Sequence, residues 1–419
     1  MELYFISVVT KFDVFLDMYE KGSPQKIVDI VRNLNQKKSE YDKIRKILDS
    51  LADMKLIVKN EYGYQAIMNQ KNKHLFEMLK YCVKNGVNYN DLFDETVAKY
   101  ISKALIKKSF TLQDMGLHPR TFSKVSEILG ENGFLVVLSR KPFRAFIPDN
   151  SFLEDLIIYY GHRPLVAKRG SDEYFSEIEK ELTNFKRLSN RNYQKYREIL
   201  AATQIKFIHH SLSIEGNPIT LAQTYKLLHD KIVPENLSAE SVQEVQNYQK
   251  AFLQMVSNVN NEMPLTNETV LNYHFLAFQH KPEWAGKIRD APVTIKGNPD
   301  YKVADHKDIP KLLDKLLKRY NDFAKPGHTL QEILDFAAYL HNEFQHIHPF
   351  FDGNSRTTRM ITFHFLQMNG IPILDIPLGM LEEYVFSTKG AKERSDKKLN
   401  QALQQIILYN LKTINEKLS

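Results

Sequence analysis

The sequence predicts a mainly α-helical chain, with two short helix-and-hairpin (α+β) segments followed by a helical bundle that carries one small β-hairpin. Three observations predict it. Apolar residues recur at three- and four-residue spacing through nearly all of the chain beyond residue 172. The N-terminal third runs twice through the same order of elements, short helices and then strand–turn–strand. In the bundle region, β-branched residues beside Gly and Pro cluster at residues 293–301, as in a small hairpin.

In the first copy, Phe12, Phe15, Leu16 and Tyr19 share a helical face. Gly22 and Ser23 break it, and Pro24 suits the first turn of a second helix capped by Ser23. That helix carries Ile27, Ile30, Val31 and Leu34. A third, over residues 40–53, carries Ile44, Ile47, Leu48 and Leu51, before strands at 55–59 and 64–67. The second copy places helices at 96–107, 111–115 and 119–131 and a hairpin at 134–139 and 144–147. This order resembles a tandem pair of winged helices, with domains expected at residues 1–90 and 91–165. Lys37, Lys38, Lys43, Arg45 and Lys46 surround the third helix, where such a module faces DNA or docks a protein.

A further apolar helix covers residues 152–160, and residues 161–170 read as a linker. Helical patterns then cover 173–188, 192–214, 221–228, 238–256, 267–278, 309–321, 330–346, 357–369 and 396–418, which makes residues 166–419 a third, helical domain.

Composition sets outer limits. A chain of 419 residues with 43% hydrophobic and 26% charged residues is globular and too long for one core. No apolar run reaches the ~18–20 residues of a membrane span, so no membrane partner is expected. The opening MELYFISVVT lacks the basic leader and cleavage site of a signal peptide. Cys82 is the only cysteine, which excludes an intramolecular disulfide and a cysteine-based zinc site, and fits a cytoplasmic, reducing compartment. The net charge of +7 lies wholly in residues 1–170, where 27 Lys+Arg face 20 Asp+Glu. That asymmetry suits a polyanion-binding region or a solvated lysine-rich surface.

The segment richest in chemistry is His348-Pro-Phe-Phe-Asp-Gly-Asn-Ser-Arg356-Thr-Thr-Arg359. Pro349 ends one helix, Asp352 and Gly353 favour a turn, and Asn354 or Ser355 can cap the next helix. The start of that helix aims unpaired N–H groups and its positive dipole end into the loop, which makes an anion site. Arg356 and Arg359 lie on one face just inside it, and their planar forks suit phosphate oxygens. Asp352 is a hard oxygen ligand suited to Mg²⁺, and His348 can accept a hydroxyl proton near neutral pH.

This stretch resembles the Fic-family motif HPFx(D/E)GN(G/K)RxxR at every fixed position but one, and the resemblance extends over about residues 192–376. It implies a Fic-type helical bundle with a small β-hairpin flap, and a protein adenylyltransferase that moves AMP from ATP to a Tyr, Thr or Ser hydroxyl of a target protein or of itself. Carried over, His348 is the base, Asp352 holds Mg²⁺, and Gly353 and Asn354 cradle the α- and β-phosphates. Arg356 then neutralises the leaving pyrophosphate, Arg359 holds the γ-phosphate and Phe350 anchors the loop. The departure is Ser355, where the family usually has Gly: its Cβ crowds the phosphates, or its hydroxyl binds them or caps the helix.

Earlier in the chain, Ser211-Leu-Ser-Ile-Glu215-Gly216-Asn217-Pro218 closes a long helix. A carboxylate at a helix C-terminus is unfavourable by ~0.3–1 kcal/mol, so Glu215 needs a compensating partner. The stretch resembles the inhibitory (S/T)xxxE(G/N) motif of self-restrained Fic proteins. By that resemblance Glu215 pairs with Arg359 in the γ-phosphate space, Ser211 fixes the helix, and Gly216 follows. Gly286-Lys-Ile-Arg289 with Val293, Thr294, Ile295, Lys296 and Gly297 resembles the family's flap, a strand edge for a target segment. A nucleotide-sensing DNA-binding regulator and a hydrolase that removes AMP at the same site are the alternative readings. A second copy of the chain is kept as a candidate partner. His341, His346, His348 and His364 lack the spacing of a zinc centre, and His209 and His210 read as packing or surface residues.

Overall fold

In the computed structural model, the residues described are 9–163, 173–295, 298–324, 327–372, 374–388, 390 and 393–419. Much of the expected linker, residues 164–170, lies outside them.

The elements run α1 Lys11–Lys21, α2 Ile27–Asn33, α3 Tyr41–Asp53, β1 Ile57–Asn60, β2 Gly63–Ala66, α4 Gln70–Asn85, α5 Tyr89–Leu92 and α6 Glu95–Leu105. There follow α7 Leu112–Met115, α8 Pro119–Glu131, β3 Val136–Arg140, β4 Phe143–Phe146 and α9 Ser151–Tyr159. The bundle comprises α10 Phe175–Arg191, α11 Tyr193–Ile214, α12 Leu221–Tyr225, α13 Ala239–Asn260, α14 Asn267–Ala277, α15 Ile309–Phe323, α16 Leu330–Ile347, α17 Asn354–Met368, α18 Leu381–Phe386 and α19 Asp396–Leu418. Among the described residues no helix is long and apolar enough to cross a membrane.

Packing divides the chain into two compact units: residues up to Lys103 with the segment from Ser151, and Ala104–Asn150 with the C-terminal part. The boundaries at 90 and 165 follow the repeated pattern, whereas these units cut across its second copy.

In the first unit α1–α3 precede the antiparallel hairpin β1–β2, in register from Ile57↔Ala66 to Asn60↔Gly63. Gln25 adds a single rung on the other edge of β2 by bridging Tyr64, with N···O distances of 2.8 and 2.9 Å. That bridge explains a departure from expectation. The segment after Pro24 is held extended, so α2 starts at Ile27 with Lys26 as its N-cap, not at a Ser23 cap. The rung also needs Gly63, since a Cβ there would lie 2.3 Å from the Gln25 carbonyl oxygen, with φ at +133°. Helix α4, which buries Leu75, Leu79 and Cys82, is not among the elements expected from the sequence.

In the second unit the hairpin β3–β4 gains the same kind of rung from Phe110, which bridges Ala145. Two copies of one topology are therefore present. This second copy is fastened to the bundle by Lys412 Nζ to Leu138 O of β3 at 3.2 Å, Tyr409 Oη to Gly130 O of α8 at 2.9 Å and Gly379 N to Gly133 O at 3.1 Å.

The bundle is built around α17, in which every residue from Asn354 to Leu366 is buried. Helices α13, α14 and α16 pack on it, and α19 packs on α10 and α16. The predicted helix at 357–369 starts three residues earlier, because Gly353, at φ +79°, already turns the chain. The hairpin expected at 293–301 is limited, among the described residues, to one antiparallel bridge between Ile295 and Asn298. Lys296 and Gly297 lie outside the described residues. Val293 is half-buried, Thr294 exposed and Ile295 buried.

Candidate active site

The loop between α16 and α17 is made by two left-handed residues. His348 ends α16 at φ +49°, and Gly353 is the N-cap of α17. Gly353 is required twice over. A Cβ there would lie 2.1 Å from Phe278 Cε2, and L side chains rarely adopt its φ. Helix α17 has no side-chain cap hydrogen bond, so neither Asn354 nor Ser355 caps it as the sequence suggests.

The side chain of Asn354 has another job. Its Oδ1 accepts from Phe350 N at 2.9 Å and its Nδ2 donates to Phe350 O at 2.8 Å. It thus staples the loop closed, and the fully buried Phe350 ring anchors it. That ring stacks at 3.7 Å on His274, which stacks in turn on Phe278 at 4.6 Å. His274 also holds the loop through Nε2 to Asp352 O at 3.0 Å, while its Nδ1 accepts from Gly286 N at 2.9 Å. Burial pushes its pKa down to about 4, so it is neutral, with the proton on Nε2.

Arg289 braces the other side. Its Nε donates to His348 O at 2.7 Å, Nη1 to Ala291 O at 2.9 Å and Nη2 to Ala304 O at 2.6 Å, while its backbone N–H meets Pro349 O at 2.9 Å. In the sequence Arg289 stands only in the lead-in to the flap, and His274 carries no role. The available signal is modest: an arginine to serve a loop rich in carbonyls, and a histidine inside the apolar stripe Val270, Tyr273, Ala277.

His348 itself is half-buried, with Nδ1 at 3.2 Å from Gln345 O. A carbonyl can only accept, so in the neutral ring the proton sits on Nδ1 and the lone pair on Nε2. Asp352 Oδ1 accepts from Gly353 N at 2.6 Å and from Arg356 Nη2 at 2.9 Å. Ser355 is buried in the first turn of α17.

Both arginines are buried, Arg356 at 5% and Arg359 at 2% exposure. Arg359 reaches α11: Nε donates to Ser211 Oγ at 2.6 Å, and Nη2 donates to Ser211 O at 2.9 Å and Glu215 Oε1 at 3.0 Å. Burial works against its charge, but Glu215, Tyr384 and Tyr248 outweigh that and raise its pKa. Glu215 is the C-cap of α11, and Gly216 follows at φ +97°. The compensating partner for a carboxylate at a helix C-terminus is therefore Arg359. Arg356 lies over the Phe278 ring at 4.4 Å and pairs with Glu244 of α13, a residue that belongs to neither sequence motif.

His209 and His210 are buried, and His210 Nδ1 lies 2.7 Å from Asp375 Oδ1. His341 Nε2 meets Tyr384 Oη at 2.7 Å, and His364 Nδ1 meets Tyr273 Oη at 2.8 Å. These histidines belong to separate packing contacts.

Residues 264–366 match the model of the Fic/DOC family, and residues 14–69 match that of the TBPIP/Hop2 winged helix domain. The chain is 29% identical over 188 residues to the protein adenylyltransferase Fic of Drosophila persimilis, covering 44% of this chain and 36% of that protein. It is 25% identical over 286 residues to the Drosophila willistoni protein of the same name, covering 66% and 54%. The matches thus span between about a third and just over half of these relatives' length. A Fic domain containing signaling protein from Bacteroides thetaiotaomicron shares the fold at TM-score 0.50 and 19% identity, over 58% of this chain and 96% of that one. With the loop, its two arginines and the family match over the same helices, the chain carries a Fic domain, matched at residues 264–366, and a winged-helix domain near its N-terminus, matched at residues 14–69.

Proposed function

We propose that this chain is a protein adenylyltransferase that transfers AMP from ATP to a hydroxyl side chain of a target protein or of itself, and that Glu215 restrains it. The observation that carries the proposal is convergence. His348, Asp352, the N-terminus of α17 and two buried arginines meet at one loop, and Glu215 is bound to the arginine that a triphosphate would need.

In this reading His348 Nε2 takes the proton of the attacking hydroxyl. The oxygen forms a bond to the α-phosphorus as the bond to the pyrophosphate oxygen breaks. The backbone N–H groups at Asn354 and Ser355 and the α17 dipole bind phosphate oxygens, and Gly353 supplies the left-handed turn without a side chain that lets the phosphates approach, its own N–H being held by Asp352. Asn354 acts through its backbone, since its side chain staples Phe350. Arg356 balances charge on the leaving pyrophosphate, and Arg359 holds the γ-phosphate once Glu215 withdraws.

Asp352 would hold Mg²⁺, and the donor set fits. One carboxylate, 43% exposed, is tethered through Oδ1, and among the described residues its Oδ2 takes no hydrogen bond. Mg²⁺ is ordinarily held by one or two carboxylates plus waters and phosphate oxygens. When bound it would neutralise phosphate charge.

The segment 293–297 is proposed to receive the target as an added strand, and the N-terminal winged helix to contact DNA through Arg45 and Lys46, both exposed on α3. A cytoplasmic site of action is part of the same proposal. Incubating the purified chain with α-labelled ATP and Mg²⁺ tests the central claim. Label should enter protein, and more of it in Glu215→Gly than in the wild type. Nucleotide binding without any transfer in either protein would favour a sensor.

A further inference from the structure

Arg356 is a buried cation whose fork is already held. Nη1 pairs with Glu244, Nη2 donates to Asp352 Oδ1 at 2.9 Å, and Phe278 lies against the guanidinium face. Only Nε, buried, has no partner among the described residues. Glu244 is itself anchored, because its Oε2 accepts from Asn217 Nδ2 at 2.7 Å. Asn217 is fixed in turn, with Nδ2 also at 3.2 Å from Ser241 O and Oδ1 accepting from Ile219 N at 3.0 Å. Asn217 lies two residues beyond Glu215, in the same turn. One helical turn further along α13, Tyr248 Oη touches Ser211 Oγ at 2.8 Å and Arg356 O at 3.4 Å.

We propose that Glu244 is a positioning residue for Arg356, and that Asn217 couples this positioning to the turn that carries Glu215. The idea rests on the nucleotide-transfer reading above and deepens it. The 215–217 turn controls both arginines of the loop, Arg359 directly through Glu215 and Arg356 through Asn217 and Glu244. Withdrawing Glu215 from Arg359 therefore also moves the strut that sets Arg356. Two consequences follow from charge and geometry. Glu244 puts a negative charge beside the phosphate site, which opposes ATP binding. It also holds the guanidinium in one orientation, which favours the step in which negative charge builds on the leaving group. Removing only the charge should therefore move KM and kcat for ATP in ways that simple loss of fold would not.

The test uses the full chain in the Glu215→Gly background, with AMP transfer measured against ATP concentration. Glu244→Gln should lower kcat about tenfold or more, with KM for ATP unchanged or lower. Glu244→Asp should recover part of that loss. Asn217→Ala should lower kcat in the same direction, and the Glu244→Gln/Asn217→Ala double variant should be no worse than Glu244→Gln alone. Thermal unfolding checks that each variant is folded. If Glu244→Gln does not fold, Glu244→Asp and Asn217→Ala carry the test by the same KM–kcat split. A kcat within about twofold of the parent, a raised KM at constant kcat, or a double variant whose losses multiply would overturn the proposal. A Glu215→Gly parent that neither binds nor uses ATP would overturn the nucleotide reading itself, and this inference with it.

Discussion

Arg359 Nη2 lies 3.0 Å from Glu215 Oε1, although 144 residues separate the two in the chain. The pair is asymmetric in burial, with Arg359 at 2% and Glu215 at 18% side-chain exposure. The more exposed partner sits on a helix end followed by Gly216, and the more buried one on α17, which is buried from Asn354 to Leu366. Of the two, the carboxylate is the one placed to move.

Glu215→Gly should raise self-labelling from ATP. The pair is a charge-assisted contact worth roughly 1.5–3 kcal/mol, so freeing Arg359 should increase labelling on the order of ten- to a hundredfold. Labelling unchanged or reduced, with ATP binding intact, would show that Glu215 does not restrain the site.

His348→Ala in that activated background should retain ATP binding and lose transfer by roughly 10²–10⁴-fold. Arg289 holds the loop by the His348 carbonyl, Asn354 by the Phe350 backbone and His274 by the Asp352 carbonyl. All three backbone groups survive the substitution, so the loop should keep its shape. Turnover close to that of the parent would remove His348 from the role of base.

Ser355→Gly should modestly tighten ATP binding, as measured by calorimetry. The residue lies in the first turn of α17, with Gly353 as the N-cap, so no cap hydrogen bond is lost and a Cβ beside the anion site is removed. Weaker binding would mean that the hydroxyl itself serves the phosphates.

His274 should make the loop sensitive to acid. Its folded pKa, about 4, lies below the unfolded value of roughly 6.5. A depressed histidine contributes stability that is fully present above the unfolded pKa and is lost as pH falls from there toward the folded one. The contribution is on the order of 3 kcal/mol. Protonation also turns Nδ1 into a donor facing the Gly286 N–H, which donates to it in the neutral state. The unfolding temperature and ATP affinity should therefore both fall between about pH 6.5 and pH 4. His274→Gln should show a shallower fall from a lower starting point, and an equal slope would assign the acid sensitivity to other groups.

What was legible in the sequence was what lies close together in it. His348, Asp352, Arg356 and Arg359 fall within one loop and the first two turns of one helix, and the cost of a carboxylate at a helix end already demanded a partner for Glu215. The residues that a sequence pattern misses act across the fold. Glu244 reads as one more charge on α13 until its neighbours Val245 and Tyr248 are seen to be buried against the bundle. His274 and Arg289 support the loop through backbone carbonyls, which no motif records. Pro24 misleads for a related reason. Its helix-starting preference is local, whereas the Gln25–Tyr64 bridge that holds the chain extended spans 39 residues. The roles of Asn354 and Phe350 divide similarly: both are at the loop, but the Asn354 side chain binds the Phe350 backbone.

The N-terminal winged helix offers the last prediction. On α3, Arg45 and Lys46 are exposed, while Lys43 is half-buried and lies 3.4 Å from Glu40. Asp42 and Asp49 are exposed on the same helix and dilute its positive charge. If α3 enters a major groove, the full chain should bind duplex DNA with an affinity that falls steeply as salt rises, because each phosphate contact releases condensed counterions. Lys46→Glu should weaken binding and lower the salt slope by about one for each phosphate that is no longer neutralised. Lys43→Glu should do less, since Glu40 already partners Lys43. The measurement is fluorescence anisotropy of a labelled duplex at several salt concentrations. Equal effects from the two reversals would mean that Lys43 leaves Glu40 on binding. Affinity indifferent to both salt and Lys46 would leave α3 as a surface for docking protein.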